Sequence, residues 1–287
     1  MADRTLISFD YAIKYLLRGQ EDYVILSGFL TELMGRKIDV IGLLPDETNK
    51  SDPDEKTNRV DLKAQIDGGE IAVFEIQFHQ EYDFFGRVLY GVSHAITDQV
   101  RSGKLYNVRK VYSINIAYYN LTAKREYLFF GKFSGFQGIH FHEESIPFAQ
   151  TATKDSKELL DIHPEYYLIL PNMFDETLRG KFDEWIYILK NSKVRDDFTA
   201  AGIKEAAEKL NELTLPPDKL AAYHKYMENI RSVNSQAIAA EIKGKAEGNT
   251  EKLIEIVLNM HEAGFSIADI VKATKLSEQK VNDILSQ

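Results

Sequence analysis

The chain contains no cysteine, which excludes disulfides and any metal site built on thiolates. Its first stretch, MADRTLISFD, lacks the apolar core of a signal peptide. No hydrophobic run approaches the ~20 residues of a membrane span, so a cytoplasmic protein with no membrane partner is expected. Positive charge is also in deficit, with a net charge of −9. That argues against a wholly basic face for nucleic acid. What the chain does have, 44% hydrophobic and 28% charged residues over 287 positions, suits a globular main domain with an appendage.

The charge is unevenly spread. Residues 86–132 hold Arg87, Arg101, Lys104, Arg109, Lys110, Lys124, Arg125 and Lys132 against Asp98 and Glu126, a net of +6. The loop 45–58 holds five acids against Lys50 and Lys56, a net of −3.

Between these segments lies RVDLKAQIDGGEIAVFEIQ, from Arg59 to Gln77, which reads as two alternating strands joined at Asp67-Gly68-Gly69. Val60, Leu62, Ala64 and Ile66 share one face, and Ala72, Phe74 and Ile76 share the matching face of the second strand. A two-residue loop would set Leu62 against Glu75. A three-residue loop with glycine in the left-handed region pairs Leu62 with Phe74 and Ala64 with Ala72 instead. It also places Asp61 across from Glu75, with Gln77 one step along. Carboxylates so paired sit about 5 Å apart at Cβ and repel by roughly 3 kcal/mol at an effective dielectric of 20. A divalent cation turns that repulsion into attraction, and hard oxygen ligands favour Mg²⁺ or Mn²⁺ over zinc. The alternative is a solvated polar face in another register.

In chain order, Ser8 is expected to cap a helix from Phe9 to Arg18, closed by Gly19, and a second helix runs from Glu21 to Met34. Lys37–Leu44 reads as a strand, residues 83–102 as a helix, and Val108–Tyr118 as a central strand. Further strands are expected within Glu126–Phe141 and Tyr166–Leu170. Beyond Pro171 the pattern is helical at Lys181–Lys190, Asp196–Leu213, Pro217 to about Lys245, and Thr250–Gln287. This order describes an α/β core followed by an α-helical tail.

The segments FDYAIKYLL, RVDLKAQ, FEIQF and GRVLYGVSHAITDQVRSGKLYNVRKVYSINI, followed by HFHEE, DEWIYILKN and AGFSIADIVKATKLSEQKVNDIL, resemble a known family. It is that of the bacterial recombination-promoting nucleases and transposases of the PD-(D/E)XK nuclease superfamily, and the resemblance covers nearly the whole chain. It implies a restriction-endonuclease-like core, a mixed sheet flanked by helices, over residues 1–195, and an α-helical C-terminal region over 196–287. It also implies Mg²⁺-dependent (or Mn²⁺-dependent) DNA cleavage, with DNA as the partner and a homodimer left open. Asp61 matches the aspartate of the motif and Glu75 its acidic position. Gln77 stands where lysine is usual. Asp10 matches an acid of the N-terminal helix that can complete the metal shell, although negative charge at a helix start is also favourable by itself. Arg87 and Gln99 match positions on the helix after Gln77 and are candidates, with Arg101 and Lys104, for contacts to DNA phosphate.

Hydrolysis of a phosphodiester needs an activated water and stabilised phosphoryl oxygens, and a carboxylate-held metal supplies both. Asp61, Glu75 and the carbonyl of Ile76 are the expected ligands. Gln77 can orient water but carries no charge. Lys63 shares the face of Asp61 and can supply the cation, or simply be a solvated strand lysine. Gln77 and the acidic net charge keep a second reading open, a DNA- or partner-binding protein on the same fold without strong catalysis.

His140 and His142, on one face of an expected strand, resemble a zinc pair without a third ligand. Tyr118, Tyr119, Tyr127, Phe129 and Phe130 read as core or as base-stacking rings. Trp185, with Phe182, Ile186 and Leu189 at helical spacing, should pack a helix onto the sheet. Residues 265–286 form two short helices, the second capped by Ser277, resembling a helix-turn-helix. Its second helix carries one base against two acids, which suits packing or oligomerisation at least as well as phosphate.

Overall fold

The two alternating segments around Gly68 and Gly69 pair as their face parity requires. In the computed structural model Leu62 lies opposite Phe74, and Ala64 opposite Ala72, in an antiparallel ladder. Both glycines have φ of 78°, a conformation that costs other L-residues about 1 kcal/mol or more. The loop is closed by Ile66 N donating to Glu70 O at 2.9 Å. The structure describes residues 4–12, 23–44, 61–79, 83–100, 108–123, 125–133, 135–140, 142–143, 145–151, 159–211 and 215–286.

The elements begin with β1 (Arg4–Thr5), α1 (Phe9–Tyr11), α2 (Val24–Met34), β2 (Val40–Leu43), β3 (Leu62–Ile66), β4 (Ile71–Gln77), α3 (Phe84–Val100) and β5 (Val111–Ala117). Short strands follow, β6 (Leu128–Lys132), β7 (Gly135–Gln137), β8 (Ser145–Pro147), β9 (Ala149–Thr151), β10 (Leu159–Asp161) and β11 (Glu165–Ile169). The chain then continues through α4 (Phe182–Asn191), β12 (Lys193–Val194), α5 (Ile203–Lys209), α6 (Pro217–Glu262), α7 (Ile267–Thr274) and α8 (Glu278–Leu285).

Six strands make one mixed sheet in the order β2-β3-β4-β5-β11-β6. β4, β5 and β11 run parallel, and both flanks are antiparallel. Every residue of β4 and of β5 is buried, as expected for central strands covered on both faces. On one face, Ile71, Val73 and Val111 pack against Val92 and Ala95 of α3. On the other, Phe74 meets Phe29 of α2, and Phe29 meets Trp185 of α4 edge-on at 5.5 Å. Trp185 is fully buried and its indole Nε1 donates to Ala201 O, so it locks α4 onto α2, whose Phe29 in turn meets the sheet. Gly28 lets α2 approach the chain at Ala201 closely, because a Cβ there would lie 2.4 Å from the Ala201 carbonyl oxygen.

Contacts divide the chain into two compact units, Met1–Tyr226 and Met227–Gln287, while the resemblance implied a nuclease-like domain over 1–195. Residues beyond 195 stay with the first unit because their backbone amides are used by it. Thr199 N and Ala200 N both donate to the buried Glu184 carboxylate, each at 2.7 Å, and Ala201 N donates to Glu32. The second unit holds the C-terminal part of α6 with α7 and α8, around Val257, Ile270 and Val281. Ser277 caps α8 as expected, accepting from Lys280 N, and Ser266 caps α7 in the same way.

Several expectations change. Ser8 occupies the N-cap of α1 without a side-chain capping bond, and residues 13–20 lie outside the described residues, as does the acidic loop 45–58. The helix expected over Asp196–Leu213 is only α5, since residues up to Gly202 form turns and Gly202 itself is left-handed. Conversely, α6 runs unbroken through Gly244 and Gly248, where two glycines at about 1 kcal/mol each mimicked a break. His140 and His142 lie outside any strand, so the shared-face argument for a zinc pair fails. Of the aromatic group, Tyr127 is buried while Phe130 is half exposed against Tyr167.

Candidate active site

Just before β3 the regular register ends, with Asp61 N donating to Phe74 O, the residue opposite Leu62, at 3.0 Å. Leu62 pairs with Phe74 as face parity predicted, and Glu75, the next residue of β4, turns to the α3 side, where Arg87 meets it. The Asp61 carboxylate also turns towards the β4 backbone, where Oδ2 accepts from Ile76 N at 2.6 Å. N–H and C=O of one strand residue point the same way, so the Ile76 carbonyl faces the Asp61 edge as well. Gln77 O faces the opposite edge, where it accepts from Tyr118 N.

Glu75 is 6% exposed and Gln77 8%. Spaced by two, they share a face, and Gln77 Nε2 donates to Glu75 Oε1 at 2.7 Å. Arg87, in the first turn of α3, donates from Nη2 to that same Oε1 at 2.6 Å. Lys63 is buried and its ammonium pairs with Asp98 Oδ2 at 2.6 Å, and His94 Nδ1 lies 3.1 Å from the same oxygen. Lys63 and Asp98, with Leu44, Gln65, Gly69, Ile71 and Gln99, line an open pocket of about 320 Å³.

Asp10 is fully buried, accepts from the Tyr226 hydroxyl at Oδ2, and has no hydrogen-bond partner for Oδ1 among the described residues. Burial pushes the Tyr118 hydroxyl well above its ordinary pKa, and the nearby Asp10 charge adds to this. Among the described residues no group of three or more His, Asp or Glu gathers to hold a metal, so Asp10 is not brought together with Asp61 and Glu75. Gln99 ties the end of α3 to the chain entering β5, accepting from Arg109 N at 2.6 Å and donating to Arg109 O at 3.3 Å. Arg101 and Lys104 lie outside the described residues. The basic character of 86–132 is partly spent within the fold, since Lys110 pairs with Asp161 and Glu165, each at 2.7 Å.

The structure thus adds three partners that sequence reasoning passed over, Arg87 for Glu75, Asp98 for Lys63, and His94 for Asp98. A signal for them existed. At 100° per residue, positions seven and eleven beyond Arg87 return to within about 20° of its direction, so Arg87, His94 and Asp98 share one face of α3. Chemically, the carboxylates of Asp61 and Glu75 and the Ile76 carbonyl are hard oxygen donors, a type that fits Mg²⁺ or Mn²⁺ and not a thiophilic metal.

A six-stranded mixed sheet with helices on both faces and an acidic pair at the open end of its hairpin is a restriction-endonuclease-like core of the PD-(D/E)XK type. Residues 7–133 match the family model described as PD-(D/E)XK nuclease family transposase, and it is this family that the span is similar to. Neither the curated proteins nor the solved structures gave a match. The family match points to nuclease- or transposase-like function, and nucleases of this superfamily generally use divalent metals. Among the described residues, no helix is long and apolar enough to cross a membrane.

Proposed function

We propose that the protein is a metal-dependent DNA endonuclease that hydrolyses phosphodiester bonds, with Asp61, Glu75 and the Ile76 carbonyl as the ligands of Mg²⁺ or Mn²⁺. The observation that supports this reading is the approach of the Asp61 carboxylate to the β4 backbone at Ile76, the residue next to the buried Glu75. A divalent ion held there would polarise the phosphoryl group and lower the pKa of a bound water. Gln77, fixed to Glu75 through its amide, retains a carbonyl oxygen that can accept from the attacking water. Arg87 on α3 is the cation on Glu75, and Lys63, two residues along from Asp61, is a buried cation paired with Asp98. Gln99, Arg101 and Lys104 are the proposed contacts to the DNA backbone, and Asp10 remains the outlying acid of the set.

A second reading, a DNA- or partner-binding protein with weak or no catalysis, is favoured by one observation. Glu75 already receives a guanidinium where the superfamily usually pairs it with a motif lysine. Nicking of supercoiled plasmid over a Mg²⁺ titration separates the two. Loss of metal-dependent nicking in Asp61→Ala, at unchanged melting temperature, supports the nuclease. Equal residual activity in wild type and Asp61→Ala leaves the binding protein.

A further inference from the structure

Gln77 leaves the reaction without the positive charge that a lysine would bring, and two neighbouring cations differ sharply in where they stand. Lys63 is committed to Asp98 at 2.6 Å and sits across from Val73 in the ladder, not across from Glu75. Arg87 shares a single acceptor, Glu75 Oε1, with the Gln77 amide. The guanidinium therefore lies beside the position a motif lysine would occupy. Its backbone is held in the first turn of α3 by Arg87 N donating to Asp83 O at 2.9 Å. The flanking Phe84 and Val88 are buried together with Ala117 and Leu170. Such a group stays charged at any pH a protein survives, and its fork of donors suits both carboxylate and phosphate.

We infer that Arg87 is the positioning residue that supplies, through Glu75, the fixed positive charge for which the superfamily uses the lysine at the Gln77 position. This rests on the nuclease reading of the same site. It has a consequence with two signs. A guanidinium on Glu75 competes with a divalent cation for that carboxylate and so weakens metal binding. The same charge stabilises negative charge gathering on the phosphoryl oxygens and so speeds cleavage. A residue that only held α3 in place would move both quantities in one direction.

The test compares wild type, Arg87→Met, Arg87→Lys, Asp61→Ala and the double variant Arg87→Met/Gln77→Lys. Mn²⁺ affinity is measured by titration calorimetry, plasmid nicking at saturating Mg²⁺, and folding by thermal melting. Arg87→Met is expected to bind Mn²⁺ severalfold more tightly and to nick about a hundredfold more slowly, the scale for one electrostatic donor at a reacting phosphate or carbonyl. Arg87→Lys should fall between Arg87→Met and wild type, and it remains informative should the methionine variant fail to fold. Restoring a lysine at position 77 in the Arg87→Met background should recover most of the lost rate. Nicking by Arg87→Met close to wild type, while Asp61→Ala is dead, overturns the role of Arg87 and leaves the nuclease standing. Weaker Mn²⁺ binding together with no rescue by Gln77→Lys overturns it as well. Identical nicking by wild type and Asp61→Ala overturns the nuclease reading, and with it this role.

Discussion

The Lys63–Asp98 pair provides the sharpest test of how the hairpin is joined to α3. Its charged atoms lie 2.6 Å apart, and the side chains are only 8% and 18% exposed. Removing one member of a buried pair costs about 3–5 kcal/mol, mostly because the other is left charged and out of water. The lower end applies here, since the pair borders an open pocket and His94 also reaches the Asp98 carboxylate. Asp98→Leu and Lys63→Met should therefore each destabilise by about 3 kcal/mol, whereas the double variant leaves no orphaned charge. The expected coupling is about 2 kcal/mol, read from urea midpoints at constant m-value. Additivity within about 0.5 kcal/mol would refute the reasoning. The same proteins assign the ammonium a role. With Lys63 tied to Asp98, nicking by the double variant should stay within about tenfold of wild type, a change of about 1.4 kcal/mol in barrier. Loss on the scale of Asp61→Ala would instead return the reaction's cation to Lys63.

Other consequences are more local. Gln77→Ala should lower Mg²⁺-dependent turnover by about 1–3 kcal/mol of barrier, the range for one lost orienting hydrogen bond, while Gln77→Lys preserves or raises it; cleavage rates at matched stability decide. Gly28→Ala drives a methyl group into the Ala201 carbonyl and should destabilise by about 1–3 kcal/mol or more, measured as a shift in urea midpoint. Burial, reinforced by the hydrogen bond to Asp183, pushes the Tyr127 hydroxyl up to about 12. A pKa raised on folding contributes stability that is complete below the unfolded value near 10 and is lost as pH rises through the folded one. Stability should thus decline between about pH 10 and 12. Tyr127→Phe should remove that part of the slope, and an unchanged alkaline profile would contradict it.

Strand alternation and two glycines were sufficient to determine the hairpin. Side chains on a strand repeat every two residues, so only one loop length could bring Leu62 over Phe74. The N-cap of α8 was also legible, Ser277 having been read from its neighbours alone, whereas the cap of α7 by Ser266 was not read. Tertiary structure decided which charges meet. Arg87 is twelve residues from Glu75, Asp98 thirty-five from Lys63, and Asp161 and Glu165 fifty-one and fifty-five from Lys110. A charge count over a window cannot see partners so far along the chain. The +6 segment therefore looked more available to a polyanion than its described side chains are. Helix boundaries behaved likewise, because a glycine costs only about 1 kcal/mol, and the interactions that carry α6 past Gly244 and Gly248 outweigh it. Local pattern determines which face a residue takes; only packing at a distance determines what it finds there.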